Sequence, residues 1–440
     1  MEAYFNELAS LLDRLLAPGE IYTCVFDAEA SDFVRMNRGK IRQPGSVQQR
    51  YLRLHLIRGQ RHAEQSLALS GVLARDQPSV AAALSWLRDT LSELPDDPHL
   101  SYAIDVESSR SVRSHALPPA EEIVAEVLDQ AAGLDLVGIY AAGPVYRGFA
   151  NSLGQRNWHE VTSFNLQWSL YHRADKAVKS TYSGFDWSAG SFAARMTDAR
   201  DRLALLAVPA RSLEPGSYRA YLTPTAMEEI AGMLCWGGFS GRALATRQSC
   251  LFRVQDGEAA FDPSVGFTEN TIDGVAPAFQ GEGFTRPAAV PLVRDGQLVG
   301  SLVSPRTAKE YALATNGANA AEMPESLDMA AGDLSASDAL AALDSGLYVG
   351  NLWYLNFSDR PACRMTGMTR FASFWVEHGR IVAPVNVMRF DDSLFRLMGD
   401  RLVGLTSERE LLVDGSSYRS RSVGSMRLPG AVVSEMAFTL

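Results

Sequence analysis

Two strand-like runs near the end of the chain, joined by a short turn, constrain the fold more than any other stretch. The runs cover residues 369–376 and 381–387, and the turn between them reads Glu-His-Gly-Arg. Glycine beside polar residues between apolar runs predicts a β-hairpin, because glycine accepts the positive φ that a tight turn needs. The first run is too aromatic for a ribbon in water, so we expect the hairpin to be built into a core.

Strand alternation divides the first run into two faces, both of which should be covered. One face carries Phe371, Ser373 and Trp375, and the other carries Ala372, Phe374 and Val376. Downstream, Asp391 and Asp392 precede an apolar run that Gly399 ends, as at the start and stop of a helix. We therefore predict a short helix over residues 393–398, with the two aspartates as its cap and first-turn acid.

Length and composition set the class of protein. A chain of 440 residues is long enough for two or three domains, and 46% hydrophobic residues are ordinary for a globular protein. A net charge of −10 without a basic stripe argues against a nucleic-acid partner. Four scattered cysteines fit a reducing compartment, and no window is apolar enough to span a membrane. We expect a soluble, cytoplasmic protein without a secretory signal.

The order of helical and strand-like patterns predicts an α+β protein of two domains. Residues 1–210 should form an α/β domain, with a mixed or antiparallel sheet and flanking helices. Asp295-Gly296 and Asp414-Gly415 resemble the turn of the late hairpin, and three glycine-centred hairpins indicate an antiparallel sheet or barrel. Residues 211–440 should therefore form a β-rich C-terminal domain.

The run NLWYLNFSDRPACRMTGMTRFASFWVEHGRIVAPVNVMRFDDSLFR, residues 351–396, resembles the C-terminal region of the TldD/PmbA family. An Asn-Ser-Leu-Gly turn at residues 151–154 is similar to a turn in that family's N-terminal domain. The family contains zinc-dependent peptidases and their partner subunits, historically called modulators of DNA gyrase. The resemblance implies subunits that pair through large interfaces and enclose a cavity admitting unfolded peptide.

Catalytic members of that family carry a HExxxH motif on a helix, in which two histidines bind zinc and the glutamate activates water. The corresponding stretch here, TPTAMEEIAGMLCWGGFSG, contains no histidine. By the resemblance, the ligand positions fall near Ala231 and Trp236, with Gly232 and Cys235 between them. The family's late cysteine ligand is also missing, since no cysteine follows residue 402. The resemblance therefore implies a degenerate, PmbA-like subunit with no metal, no cofactor and no catalytic residue of the family type.

Other residues could in principle replace the missing site. None of the seven histidines (His55, His62, His99, His115, His159, His172 and His378) pairs at HxxxH, HxxH or HxH spacing. Cys235 could be a nucleophile, but an activated thiolate needs a nearby base or cation, and a buried structural cysteine is the preferred interpretation. Glu228 and Glu229 invite an acid/base role, but we interpret them as first-turn residues that stabilise the helix dipole.

Arg370 and Arg389 flank the hairpin and could grip a peptide carboxylate or carbonyl. The competing interpretation is a structural ion pair with Asp391, Asp392 or Glu377.

Together these observations favour a noncatalytic TldD/PmbA-type subunit, a structural or regulatory partner in a metallopeptidase complex that acts on unfolded peptides. Its partner would be a second copy or a HExxxH-bearing paralogue, with neither nucleic acid nor membrane involved. Two alternatives stay open: an active hydrolase using non-zinc residues, and a homodimeric peptide-binding scaffold without a protease partner.

Overall fold

The computed structural model describes residues 1–173 and 176–439. The elements of the first half are α1 (Glu2–Leu15), β1 (Ile21–Asn37), β2 (Lys40–Arg58), β3 (Arg61–Ala68), α2 (Leu73–Glu93), β4 (Ser109–Arg113), α3 (Ala120–Gln130), β5 (Asp135–Asn151), β6 (Arg156–Arg173), β7 (Lys176–Gly184) and α4 (Ala189–Leu205). The expected domain boundary at residue 210 falls between α4 and the first strand of the second sheet.

The first half forms one long, mainly antiparallel sheet with helices packed on it. Its strands run in the order β3-β2-β1-β5-β6-β4, β7 also pairs with β6, and the β4–β6 pair is parallel. α1 and α2 cover β1 and β2 through one cluster of buried residues, while α3 and α4 pack over β5 to β7 through another. The predicted mixed sheet with flanking helices is confirmed.

The second half is richer in strands. Its elements are β8 (Gly216–Leu222), α5 (Pro224–Cys235), α6 (Gly241–Ala245), α7 (Phe252–Gln255), β9 (Phe267–Asn270), β10 (Ala289–Arg294), β11 (Gln297–Leu298), α8 (Pro305–Tyr311), β12 (Ser326–Met329), α9 (Ala339–Leu343), β13 (Gly346–Asp359), β14 (Arg364–Glu377), β15 (Arg380–Pro384), β16 (Arg389–Ser393), β17 (Leu402–Val413) and β18 (Ser425–Phe438). Short turns of 3-10 and π type lie at residues 336–338 and 396–400.

Strand pairing in the second half closes on itself. The pairs β8–β13, β13–β14, β14–β16, β16–β18 and β18–β8 form a closed circuit, of which only β8–β13 is parallel. β12, β9, β10 and β11 extend the sheet outward from β18. The expectation of an antiparallel sheet or barrel is confirmed, and α5 packs on this barrel against β13 and β18.

The hairpin that organises the sequence is present as β14 and β15. His378 and Gly379 both have positive φ, 49° and 73°, as a two-residue turn between twisted strands requires. The face of β14 with Ala372, Phe374 and Val376 is fully buried. Ala372 and Phe374 belong to the same cluster as α3 and α4, so this hairpin joins the cores of the two halves.

The predicted helix over residues 393–398 is present as a short helical stretch over residues 394–400, the last five residues of which are of π type, but its predicted cap is wrong. Asp391 and Asp392 lie in strand β16. The Asp392 carboxylate is buried and accepts hydrogen bonds from the backbone N–H of Ser393 and of Ala437 in β18, while it also pairs with Arg396. A contact with a distant strand therefore overrides the local capping signal.

No helix in the described part of the chain is long and apolar enough to cross a membrane.

Candidate functional site

Helix α5 occupies the place where the resemblance puts a catalytic motif. It starts directly after β8 with Thr223, whose hydroxyl accepts from the N–H of Ala226 and donates to the carbonyl of Gly350 on β13. Pro224 takes the first helical position, where its missing N–H costs nothing. The cap thereby fixes both where the helix begins and how it lies on the barrel.

Most of α5 faces the barrel core. Its buried residues are Ala226, Met227, Ile230, Ala231, Met233, Leu234 and Cys235. Ala231 is 1% exposed in that core, whereas Trp236, which ends the helix, is 56% exposed. Residues five apart on a helix point about 140° from each other, so this separation follows from helix geometry. The two positions expected from the resemblance thus lie on different sides of α5.

The face of α5 turned away from the core carries Glu228, Glu229 and Gly232. Glu228 is half-buried, Glu229 is exposed, and a Cβ at Gly232 would meet nothing within 4 Å. Lys179 of β7, in the first half, acts electrostatically on both glutamates. We call this space between α5, β7 and the end of β17 the α5 crevice.

The α5 crevice holds an unusual carboxyl group. Burial, followed by repulsion from Glu229, raises the pKa of Glu228 to about 7, although Lys179 opposes the shift. Asp414 and Glu410 raise it further. At neutral pH this carboxyl exchanges between its protonated and charged forms, which is the property of a proton donor or acceptor.

The dipole interpretation of the two glutamates is wrong. The first turn of α5 contains no acidic residue, because the helix already begins at Pro224. Glu228 therefore lies in the second turn, where the helix dipole stabilises it little. Its raised pKa comes from burial and from neighbouring carboxylates.

Cys235 is a core residue. It is 5% exposed, and burial raises the pKa of its thiol far above the usual range, so a thiolate is disfavoured. Cys250 and Cys363 lie buried in the same barrel core, and all three thiols are free.

The residues present do not fit the zinc site of the catalytic family members. In the crevice α5 offers only glutamates, with neither imidazole nor thiolate. Across residues 1–173 and 176–439, no group of three or more histidine, cysteine or acidic side chains is arranged to hold a metal ion. Zinc sites require closely placed donors in near-tetrahedral geometry.

Arg370 and Arg389 lie on one outer face of the barrel. Arg389 pairs across from Met368, two residues before Arg370, and its Nε donates to Thr366 at 3.0 Å. Arg370 stacks over the Trp353 ring at 4.6 Å. The acidic side chains of Asp391, Asp392 and Glu377 pair instead with Arg364, Arg396 and Arg211. Both guanidinium groups therefore keep hydrogen-bonding capacity for a ligand or subunit.

The predicted tight turn at Asp414-Gly415 is wrong. β17 and β18 are joined by a loop, residues 414–424, that reaches across to the first sheet. There the buried Arg421 guanidinium donates to the carbonyl of Gly143 at 2.8 Å and to the carbonyl of Ser163 at 2.9 Å. This anchorage draws the chain out of a two-residue turn and places Asp414 near Glu228.

Sequence spacing missed one cluster of polar side chains. His55 and His62 flank the β2–β3 turn, and their rings are hydrogen bonded at 2.8 Å. His62 also bonds Asp97 at 3.0 Å. The HxxxH and HxxH spacings bring two histidines together on a helix, whereas His55 and His62 are brought together by the pairing of β2 with β3. The signal that could have found it is two histidines on either side of a predicted hairpin turn.

The family model for the PmbA/TldA metallopeptidase C-terminal domain matches residues 215–440, just over half of the chain. The chain belongs to the PmbA/TldD family. The match covers the barrel, α5 and the loop at residues 414–424, whereas the β7 side of the α5 crevice, with Lys179, lies outside it. No match is found among proteins of curated function.

Solved structures extend the fold comparison of this PmbA/TldD protein over its whole length. A proposed modulator of DNA gyrase from Thermotoga maritima matches with a TM-score of 0.77 at 13% identity and covers 100% of both chains. TldE from Thermococcus kodakarensis matches with a TM-score of 0.78 at 12% identity, over 99% of this chain and 100% of that one. A proposed modulator of DNA gyrase from Bacteroides thetaiotaomicron gives 0.76 at 14% identity, over 99% and 98%. At these identities the likeness establishes the shared fold.

Proposed function

We propose that this chain is a catalytically degenerate PmbA/TldD subunit, the structural or regulatory partner in a metallopeptidase complex that acts on unfolded peptides. The observation that carries the proposal is the crevice face of α5. The positions that the resemblance assigns to zinc ligands hold Ala231 and Trp236, and the crevice face itself presents Glu228, Glu229 and an open position at Gly232. This set of side chains contains no imidazole or thiolate that faces the crevice.

An apolar surface beside Arg370 supports pairing with a second subunit. Trp353 and Tyr354 are 45% and 76% exposed, and their rings contact each other at 5.5 Å. Arg370 stacks on Trp353. Exposed tryptophan, tyrosine and arginine together are the side chains that dominate binding energy at protein interfaces. We therefore propose this face of β13 and β14 as part of the subunit contact.

The buried, free cysteines of the described chain support the cytoplasm as the site of this complex. The alternative of an active hydrolase with Cys235 as nucleophile is disfavoured by burial of that thiol, which raises its pKa.

The test is a mixing experiment with a HExxxH-bearing family member and an unstructured peptide. We expect the isolated chain to leave the peptide intact, and the mixture to cleave it in a chelator-sensitive manner beyond the partner's own rate. Cleavage by the isolated chain that Cys235→Ala abolishes would instead establish the hydrolase alternative. A stable homodimer that neither binds nor stimulates the partner would establish the scaffold alternative.

A matched pair of variants locates the contact. Trp353→Ala should weaken association with the partner about tenfold or more, as loss of an interface tryptophan generally does. Trp86→Ala is the control, since Trp86 is similarly exposed, at 51%, but lies on α2 in the other half. Sedimentation of each variant with the partner gives the two dissociation constants, and equal values would exclude β13 from the interface.

A further inference from the structure

A large cleft separates the first sheet from the C-terminal half. Its volume is about 850 Å³, within the range of pockets that hold small ligands. One wall is formed by side chains of β1, β2 and β3, and the opposite wall by residues 277–282 and 319–325. No residue of α5 lines this cleft, although Asp414, which acts on Glu228 in the α5 crevice, lines the cleft as well.

The strand wall is built by register. Thr23 of β1 pairs with His55 of β2, which pairs with Glu64 of β3. Because alternate residues of a strand share a face, Arg53 lies on the same side as His55, and His62 on the same side as Glu64. The three strands therefore present a largely polar surface to the cleft, which Val25 interrupts on β1.

A chain of hydrogen bonds runs through this surface. Asp97 accepts from His62 Nε2 at 3.0 Å, His62 Nδ1 lies 2.8 Å from His55 Nε2, and His55 Nδ1 lies 3.4 Å from the hydroxyl of Thr23. Arg306 of α8, bound to Asp97 at 2.6 Å, is the main cause of the lowered pKa of that carboxyl. A charged Asp97 can only accept hydrogen bonds, so His62 Nε2 must carry a proton. This in turn decides which nitrogen atoms of the two rings donate and which accept.

One histidine of this chain is neutral at physiological pH. Burial, followed by His62 and Arg53, lowers the pKa of His55 to about 4. Both rings are already hydrogen bonded within the protein. The charges that a ligand would meet come from other residues of the cleft.

Several lining charges already have partners. Asp27 pairs with Arg147 at 3.0 Å, Asp97 with Arg306, and Glu325 with Arg286 at 2.6 Å. These pairs are satisfied within the protein and leave little attraction for a ligand.

Charges of both signs remain unmatched. Within residues 1–173 and 176–439, Arg53 forms no ion pair, nor do Glu64, Glu282 and Asp414. The Arg53 guanidinium lies against Gly281, where an added Cβ would come within 2.7 Å of it, so it stands beside Glu282 without pairing with it. Burial raises the pKa of Glu282, and a hydrogen bond from the Gln280 amide only partly offsets this.

We propose that this cleft binds short peptides with free termini, the carboxylate against Arg53 and the ammonium against Glu282 and Glu64. One unmatched guanidinium facing several unmatched carboxylates complements a zwitterion that carries additional positive charge, so basic peptides should bind better than acidic ones. This inference rests on the proposed function, which supplies peptide as the ligand class. The inference adds which peptides should bind more tightly and where in this chain they should bind.

Binding to the isolated chain tests the proposal by calorimetry. The probes are trialanine with free termini, its N-acetyl and C-amide derivatives, and analogues with one lysine or one glutamate. We expect each blocked terminus to weaken binding about tenfold or more, as loss of a charge-assisted hydrogen bond does. The lysine analogue should bind more tightly than the glutamate analogue.

Two variants assign the termini. Arg53→Gln should weaken binding of free trialanine but leave the affinity of the C-amide unchanged. Glu282→Gln should weaken binding of free trialanine but leave the affinity of the N-acetyl derivative unchanged. Arg53 is exposed, and Glu282→Gln removes a carboxylate that burial disfavours, so both variants should fold. Arg42→Gln, an exposed arginine on the same strand outside the cleft, is the matched control.

The outcomes separate this proposal from the proposed function. Absence of heat at about 10 mM peptide, equal binding of free and blocked peptides, or an equal effect of Arg42→Gln would overturn the cleft assignment. Cleavage by the mixture without peptide binding to the isolated chain would overturn the cleft alone. Peptide binding without stimulated cleavage would overturn the partner role alone.

Discussion

Phe374 and Trp375 are neighbours in sequence with opposite roles in the fold. Phe374 is fully buried in the cluster that joins the two halves and contacts the ring of Tyr348 at 6.1 Å. Trp375 lies half-buried on the other face of β14, against Tyr218 at 5.9 Å and under the Arg211 guanidinium at 4.8 Å. Substituting each by alanine should therefore have very different costs.

The magnitudes follow from burial. Phe374→Ala removes a fully buried ring and should lower the free energy of unfolding by about 3–5 kcal/mol. Trp375→Ala loses part of its apolar contact and one exposed cation–π interaction, in all about 1–2 kcal/mol. The Trp375 indole also donates to Glu377 at 2.9 Å, but an exposed hydrogen bond adds little.

Urea unfolding followed by circular dichroism measures both costs. Phe374→Leu is the control, because it keeps most of the volume and should cost about 1.5 kcal/mol or less. Since Phe374 packs against the first half, its loss should destabilise both halves, whereas Trp375→Ala should affect mainly the barrel. Equal costs for the two alanine variants would refute the assignment of faces, and a fall in oligomer mass for Trp375→Ala alone would place that residue at a subunit contact.

Two further predictions concern the α5 crevice. Purified protein should contain no stoichiometric zinc after dialysis, because α5 supplies no imidazole or thiolate there; about one zinc per chain by elemental analysis would contradict this. Glu228→Gln should stabilise the protein more at pH 8 than at pH 5. A folded-state pKa of about 7, raised from 4.5, means that the native state favours the protonated form, so stability is lost as pH rises from 4.5 to 7. The gain at pH 8 should be about 1–3 kcal/mol in melting experiments, and a gain that is the same at both pH values would disprove the assignment.

Local patterns predicted much of the fold, because they reflect short-range physics. The glycine between two apolar runs located the β14–β15 hairpin. The predictions were wrong where a contact with residues distant in sequence determines the local structure. Asp392 became part of a strand because β18 and Arg396 satisfy its carboxylate, and residues 414–424 became a long loop because Arg421 is anchored in the first sheet.

The candidate site was predictable only in part for the same reason. The helix that carries it was identified correctly, yet its orientation depends on which side packs on the barrel. Ala231 therefore turned out to face the core, while Glu228 faces the crevice. The contact between His55 and His62 depends on strand register, which sequence spacing alone does not reveal.

The charges around the α5 crevice explain the raised pKa of Glu228. Carboxylates gathered in a partly buried space repel one another unless a cation or a proton neutralises them. Among the strongest influences on Glu228, only Lys179 is cationic, whereas Glu229, Asp414 and Glu410 all oppose its charge. The anchored loop that brings Asp414 close thus increases the tendency of Glu228 to bind a proton. A pKa of about 7 means that Glu228 exchanges its proton near physiological pH.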